Sequence, residues 1–84
     1  MAVTVRFFAS LRERIGSDAI ALEVCGRTGA EHVLDMLRQR LGQARVAELS
    51  APQIRVALNR EFVEYPWSVE DGDELAFMPP ITGG

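Results

Sequence analysis

Val3, Val5 and Phe7 are apolar, and the residues between them, Thr4 and Arg6, are polar. A period of two predicts a strand with one buried face, and it puts Phe8 on the opposite face with Thr4 and Arg6. Ser10 is placed to cap a short helical turn over 11–15, which Gly16 closes. Ile20, Leu22 and Val24 alternate through 19–24, predicting a second short strand. The short connection makes the two strands an antiparallel hairpin.

Thr28-Gly29-Ala30-Glu31 reads as a capping box, in which the Thr28 hydroxyl and the Glu31 carboxylate each satisfy an orphan N–H. The helix that follows carries Val33, Leu34, Leu37 and Leu41 on one stripe, with His32, Asp35, Arg38 and Gln39 mostly off it, and ends at Gly42. Residues 44–49 fit another helical turn before Pro52. Alternation returns over 54–59, with Ile54, Val56 and Leu58 inward, and Asn59-Arg60-Glu61 turns into Phe62-Val63. Pro66 interrupts regular structure, and Asp71-Gly72-Asp73 is a turn signal. The last strand, 74–78, points Leu75 and Phe77 inward and Ala76 and Met78 outward. A hairpin, one long helix and further short strands give an α+β domain, a mixed sheet with the helix across one face. The first and last strands then lie side by side in its centre.

Pro79 and Pro80 have no N–H for a ladder, so the strand stops there. They divide the chain into a domain over 1–78 and an extended tail over 79–84. Fully extended, those six residues reach about 20 Å, at roughly 3.3–3.6 Å each.

With 84 residues the chain fits one domain near the small end of what folds without a metal or disulfide, and its 48% hydrophobic content supplies a core. Its single cysteine, Cys25, excludes an internal disulfide. No apolar run has the length of a membrane span and the N-terminus lacks a signal-peptide layout, so the expected compartment is the cytoplasm. All nine basic residues are arginine, and they oppose six acids within 1–60. Residues 61–84 hold the other six acids (Glu61, Glu64, Glu70, Asp71, Asp73, Glu74) and no basic residue. Read along the chain, this acidic flank disfavours nucleic acid and favours a basic partner surface, or is simply a solvated turn region.

Catalytic constellations are scarce. Cys25 beside Gly26 reads as partly buried packing, and His32 as a solvated residue in a helix's first turn. No cluster has metal-ligand spacing, and no glycine-rich phosphate loop follows a strand. What remains is the carboxylate of Gly84. With an ordinary pKa of about 3.3–3.7 it is ionised at neutral pH and can attack an activated phosphate. The resulting mixed anhydride is open to a sulfur or nitrogen nucleophile, and two glycines without Cβ atoms can thread a narrow channel. A frayed terminus is the competing reading of Gly83-Gly84.

The segment Asp71-Gly72-Asp73-Glu74-Leu75-Ala76-Phe77-Met78-Pro79-Pro80-Ile81-Thr82-Gly83-Gly84 closely resembles the C-terminal signature of the molybdopterin synthase small-subunit family. Val5-Arg6-Phe7-Phe8-Ala9 with Leu11-Arg12-Glu13, and Val56-Ala57-Leu58-Asn59, are similar to that family as well, so the resemblance covers most of the chain. It implies a ubiquitin-like β-grasp fold and a non-catalytic sulfur carrier. An adenylating activating enzyme would use ATP and Mg²⁺ on Gly84, and a desulfurase or rhodanese would supply sulfur for a thiocarboxylate. The tail (Pro79, Pro80, Ile81, Thr82, Gly83) would insert into the large catalytic subunit and deliver sulfur to cyclic pyranopterin monophosphate in molybdenum cofactor biosynthesis. The implied assembly is a heterotetramer with no nucleic acid, membrane, bound cofactor or metal.

One departure is Met78, where the family commonly has a second aromatic residue. A flexible thioether suits a surface that meets two partners in turn. Phe8, Phe62 and Met78 are therefore the expected docking patch, with an inward Phe62 as the competing placement. Two other functions stay open: a sulfur carrier of thiamine or cysteine biosynthesis, against which Pro79-Pro80 weighs, and a ubiquitin-like protein modifier. The absence of lysine leaves the N-terminal amine as the chain's own acceptor for self-acylation.

Overall fold

Val3, Val5 and Phe7 are buried along β1 (Ala2–Phe7), while Thr4 and Arg6 are exposed, so the period-two reading holds residue by residue. The computed structural model of the chain describes residues 1–80. After β1 come α1 (Ser10–Ile15), β2 (Ala19–Glu23), β3 (Thr28–Gly29), α2 (Ala30–Leu41) and α3 (Gln43–Leu49). Then follow β4 (Arg55–Leu58), β5 (Glu61–Val63), β6 (Ser68–Val69) and β7 (Glu74–Met78).

Five strands form one sheet in the order β2-β1-β7-β4-β5. The β1–β7 pair is parallel and the other pairs are antiparallel. The first and last strands thus lie together in the centre, as the sequence predicts, and with the helices on one face this is the β-grasp arrangement.

The helices cover the inner face. Val33, Leu34 and Leu37 of α2, Leu11 and Ile15 of α1, and Val46 and Leu49 of α3 join Val3, Val5, Phe7, Leu75 and Phe77 in one core. Phe77 is its hub. Its ring stacks on Phe7 at 6.1 Å between centroids and meets the edge of Trp67 at 6.3 Å. Aromatic pairs at these separations add to the stabilisation that burial alone provides.

Two helix starts differ from the sequence reading. Thr28 lies in β3, opposite Val69 of β6, and its hydroxyl donates to the Gly26 carbonyl at 3.3 Å. Strand pairing holds Thr28 in extended backbone, so Gly29 becomes the N-cap and no side chain caps α2. Glu31 is engaged elsewhere, its carboxylate accepting the Tyr65 hydroxyl. That hydrogen bond, with lesser desolvation and charge effects, raises the Tyr65 pKa above its ordinary value. Ser10 likewise falls inside α1, preceded by Ala9 at φ 53° with no side-chain cap. The β3–β6 pair and the burial of Trp67 and Val69 are further features that local pattern did not indicate.

The 70–73 turn is fastened to the N-terminal strand. The Ala2 N–H donates to the Asp71 carboxylate at 2.7 Å, and the Gly72 N–H donates to the Ala2 carbonyl at 2.8 Å. Asp73 accepts from the Glu70 N–H at 2.8 Å and from Asn59 Nδ2 at 3.1 Å. Asn59 Oδ1 in turn accepts the Glu74 N–H at 2.9 Å, tying the β4–β5 turn to the start of β7. Among the described residues, no helix is long and apolar enough to cross a membrane.

Candidate functional site

The helices leave the sheet's outer face open, and strand register fixes what that face displays. Arg6 pairs with Ala76, Ala76 with Ala57, and Ala57 with Phe62, forming one row across β1, β7, β4 and β5. The next row, nearer the tail, places Met78 opposite Arg55, and the Phe8 N–H donates to the Phe77 carbonyl beside them at 3.2 Å. Side chains in a row project from the same face, so Phe8, Met78 and Arg55 stand next to Phe62 above two alanines.

These residues enclose an open groove of about 470 Å³ lined by Phe8, Phe62, Met78, Ala57 and Ala76, with Arg6, Arg60 and Glu74 at its edge. Phe8 is 42% exposed and Phe62 is 62% exposed, so the outward placement of Phe62 is the one realised. Met78 is half-buried. The three residues singled out from sequence therefore converge on one surface.

Sequence pattern did not reveal the groove's floor. Ala57 and Ala76 are 5% and 8% exposed although they sit on the outer face. Their methyls are short enough to be walled in by the larger side chains around them. Val56 and Leu58 point inward as expected but are only half-buried, because β4 lies near the sheet edge. The signal for the floor was the pairing of two alanines across adjacent strands, which requires the register.

Charge brackets the aromatic rings. The Arg55 guanidinium lies over the Phe62 ring, 4.3 Å from its centroid, and that of Arg6 lies 6.0 Å from the Phe8 centroid. Both are within the range of cation–π attraction. Arg6 also reaches Glu74 at 3.3 Å. The acidic segment is divided: Glu74 lines the groove, Glu61 and Glu64 flank Phe62, and Glu70, Asp71 and Asp73 belong to the turn before β7. Asp71 and Asp73 are engaged by hydrogen bonds within and beside the turn, and Glu70 pairs with Arg27 at 3.4 Å.

The base of the tail adjoins this surface. β7 ends at Met78, Pro79 is half-buried and Pro80 is exposed. Ile81, Thr82, Gly83 and Gly84, to which the tail and carrier roles were assigned, lie outside the described residues. Cys25 is exposed rather than partly buried, because the chain leaves β2 at Glu23 and only Val24 turns into the core. It shares a groove with His32 and Arg27, and no metal-holding cluster occurs among the described residues.

Against known proteins, residues 5–84 match the model of the ThiS family. The molybdopterin synthase sulfur carrier subunit of Haemophilus influenzae is 43% identical over 82 residues, spanning 98% of this chain and 99% of the relative. Its Escherichia coli counterpart is 33% identical over 85 residues, with 98% and 99% covered. Among solved structures, SAMP1 from Haloferax volcanii superposes with a TM-score of 0.80 at 26% identity, covering both chains completely. The match extends over sheet, helices and tail alike, and the chain belongs to the ThiS family, among the sulfur carrier subunits of molybdopterin synthase.

Proposed function

We propose that Gly84 is the chemical business end of the chain and that the domain before it is a docking handle. The Gly84 carboxylate attacks the α-phosphorus of ATP on an activating enzyme that holds Mg²⁺, releasing pyrophosphate and leaving an acyl-adenylate. A persulfide on a desulfurase or rhodanese then displaces AMP to give an acyl disulfide, and a thiol attacks its S–S bond, forming a disulfide with the donor sulfur and releasing the carrier as a thiocarboxylate. Docked on the large subunit of molybdopterin synthase in a heterotetramer, the tail hands its sulfur to cyclic pyranopterin monophosphate, and two such transfers build the dithiolene. The large subunit supplies the catalytic groups, the domain itself holds no cofactor, and the process is cytoplasmic.

One observation carries this reading. Phe8, Phe62 and Met78 gather at the end of the central strand from which the Pro79-Pro80 segment departs. A rigid sheet aims that departure, and an apolar patch beside it gives a partner a fixed grip close to the threaded segment. The intact mass of the protein, incubated with ATP, an activating enzyme and a sulfur source, tests the chemistry. One oxygen exchanged for sulfur, and no exchange in a variant lacking Gly84, is the expected result. No exchange with a competent activating enzyme overturns it.

The likeness to SAMP1 favours one second reading, a protein modifier whose Gly84 ends in an isopeptide bond. Covalent adducts of the chain on cellular proteins, resistant to thiol reagents, would support it over the carrier.

A further inference from the structure

Ala57 and Ala76 are cross-strand partners on β4 and β7, two interior strands of the sheet, on the face that the helices leave open. At such positions β-branched and aromatic side chains suit a strand best, and alanine is disfavoured because it offers its neighbours little to pack against. The pair forgoes that stabilisation and leaves a floor, about 5 Å between its two Cβ atoms, beneath Phe8, Phe62 and Met78. Charge does not select what fills the space. Arg6 meets Glu74, Glu64 follows Val63 to the place opposite Arg55, and Glu61 lies between Arg60 and Phe62, so the rim is balanced. We propose that the large subunit inserts one uncharged apolar side chain, of leucine to phenylalanine size, onto this floor, and that Ala57 and Ala76 determine what fits. The inference rests on the docking reading above and turns a grip on protruding rings into a socket between them.

A flat partner would rest on the tops of the rings and leave a void over the alanines, whose lining atoms would forfeit their dispersion contacts. A polar or charged side chain would exchange its hydrogen bonds to water for methyl groups and ring faces. An apolar one fills the socket against Ala57, Ala76, Phe8, Phe62 and Met78, and the Arg55 guanidinium stacked on Phe62 steadies one wall. Larger side chains at the floor would suit the strands and exclude the occupant. Stability and binding therefore pull in opposite directions at these two positions, a pattern that separates a binding role from a structural one.

The test is calorimetric affinity of the full chain for the large subunit of molybdopterin synthase from the same organism, read beside the thermal midpoint of each variant. The variants are Ala57→Val, Ala76→Val, Ala76→Leu, Ala76→Ser, Phe62→Ala and Thr4→Val, the last on the same face of β1 but outside the groove. Both valine variants should melt at or above the parent's midpoint and bind roughly tenfold or more weaker, with Ala76→Leu weaker still. Ala76→Ser adds little bulk and should also lose affinity, because its hydroxyl would lie unpartnered beneath an apolar occupant. Thr4→Val should bind like the parent. Unchanged or tighter binding by the valine variants overturns the proposal, as does a lower midpoint for both, which would make the alanines structural. If Phe62→Ala weakens binding while the valine variants match the parent, the inserted side chain is wrong and the docking patch stands. If Phe62→Ala also binds unchanged, the patch is not the interface and both ideas fall.

Discussion

Phe7 and Phe77 face each other across the parallel β1–β7 pair, their ring planes inclined by 16° and both side chains almost fully buried. The contact joins the first and last strands of the sheet, and Trp67 closes it from the side. Replacing Phe77 with alanine removes the hub of this cluster. The expected cost is about 3–5 kcal/mol, a large part of the roughly 5–15 kcal/mol available to a domain. Urea denaturation should show a much lower midpoint or no cooperative transition.

Phe8 and Phe62 should behave in the opposite way. Both are exposed, so Phe8→Ala and Phe62→Ala should change stability by no more than about 0.5 kcal/mol. Each should weaken association with the large subunit by at least about 1 kcal/mol, read by calorimetry. Lost stability without lost affinity would recast them as structural residues.

Asn59 combines a left-handed backbone, φ 51°, with two side-chain hydrogen bonds to the start of β7. Asn59→Gly keeps the backbone option and loses the bonds, whereas Asn59→Ala loses both. The expected order of stability is parent, then glycine, then alanine, with the alanine variant down by about 2–3 kcal/mol. Thermal denaturation of the three proteins checks it.

Tyr65 is the chain's one tyrosine, and there is no lysine to titrate beside it. Glu31 accepts its hydroxyl, which raises the phenol pKa in the folded state. A raised pKa means that the stabilisation is present below the unfolded value of about 10 and is lost as pH rises through the folded value. Tyrosinate absorbance should therefore show a midpoint above 10, and Glu31→Gln should lower it. An unchanged midpoint in that variant would sever the link.

The strands were legible because each has one wet face and one dry face, which alternation records directly. Position within the sheet was less so. Ala57 and Ala76 look ordinary along the chain and become a groove floor only once β4 and β7 are set in register. The Thr28–Glu31 motif has the residues of a capping box, but pairing with Val69 outweighs the local preference and moves the helix start to Gly29. Trp67 and Val69 follow Pro66 in a stretch without periodicity, and only the fold brings them beneath the sheet. At the site, the three apolar residues could be named in advance, whereas the arginines around them could not, since strand register decides which charged side chains share their face.

The central place of β7 bears on how the chain comes into being. β1 and β4 share no ladder until Glu74–Met78 arrives between them, and Ala76 and Met78 of the groove come with it. Pairing the first strand with the last is a long-range event that local helices cannot replace, so folding must wait for nearly the whole chain to be synthesised. A nascent or truncated chain that stops short of β7 has neither a closed sheet nor a complete grip for a partner. Under the docking proposed above, partner recognition therefore doubles as a check that synthesis has run past the final strand.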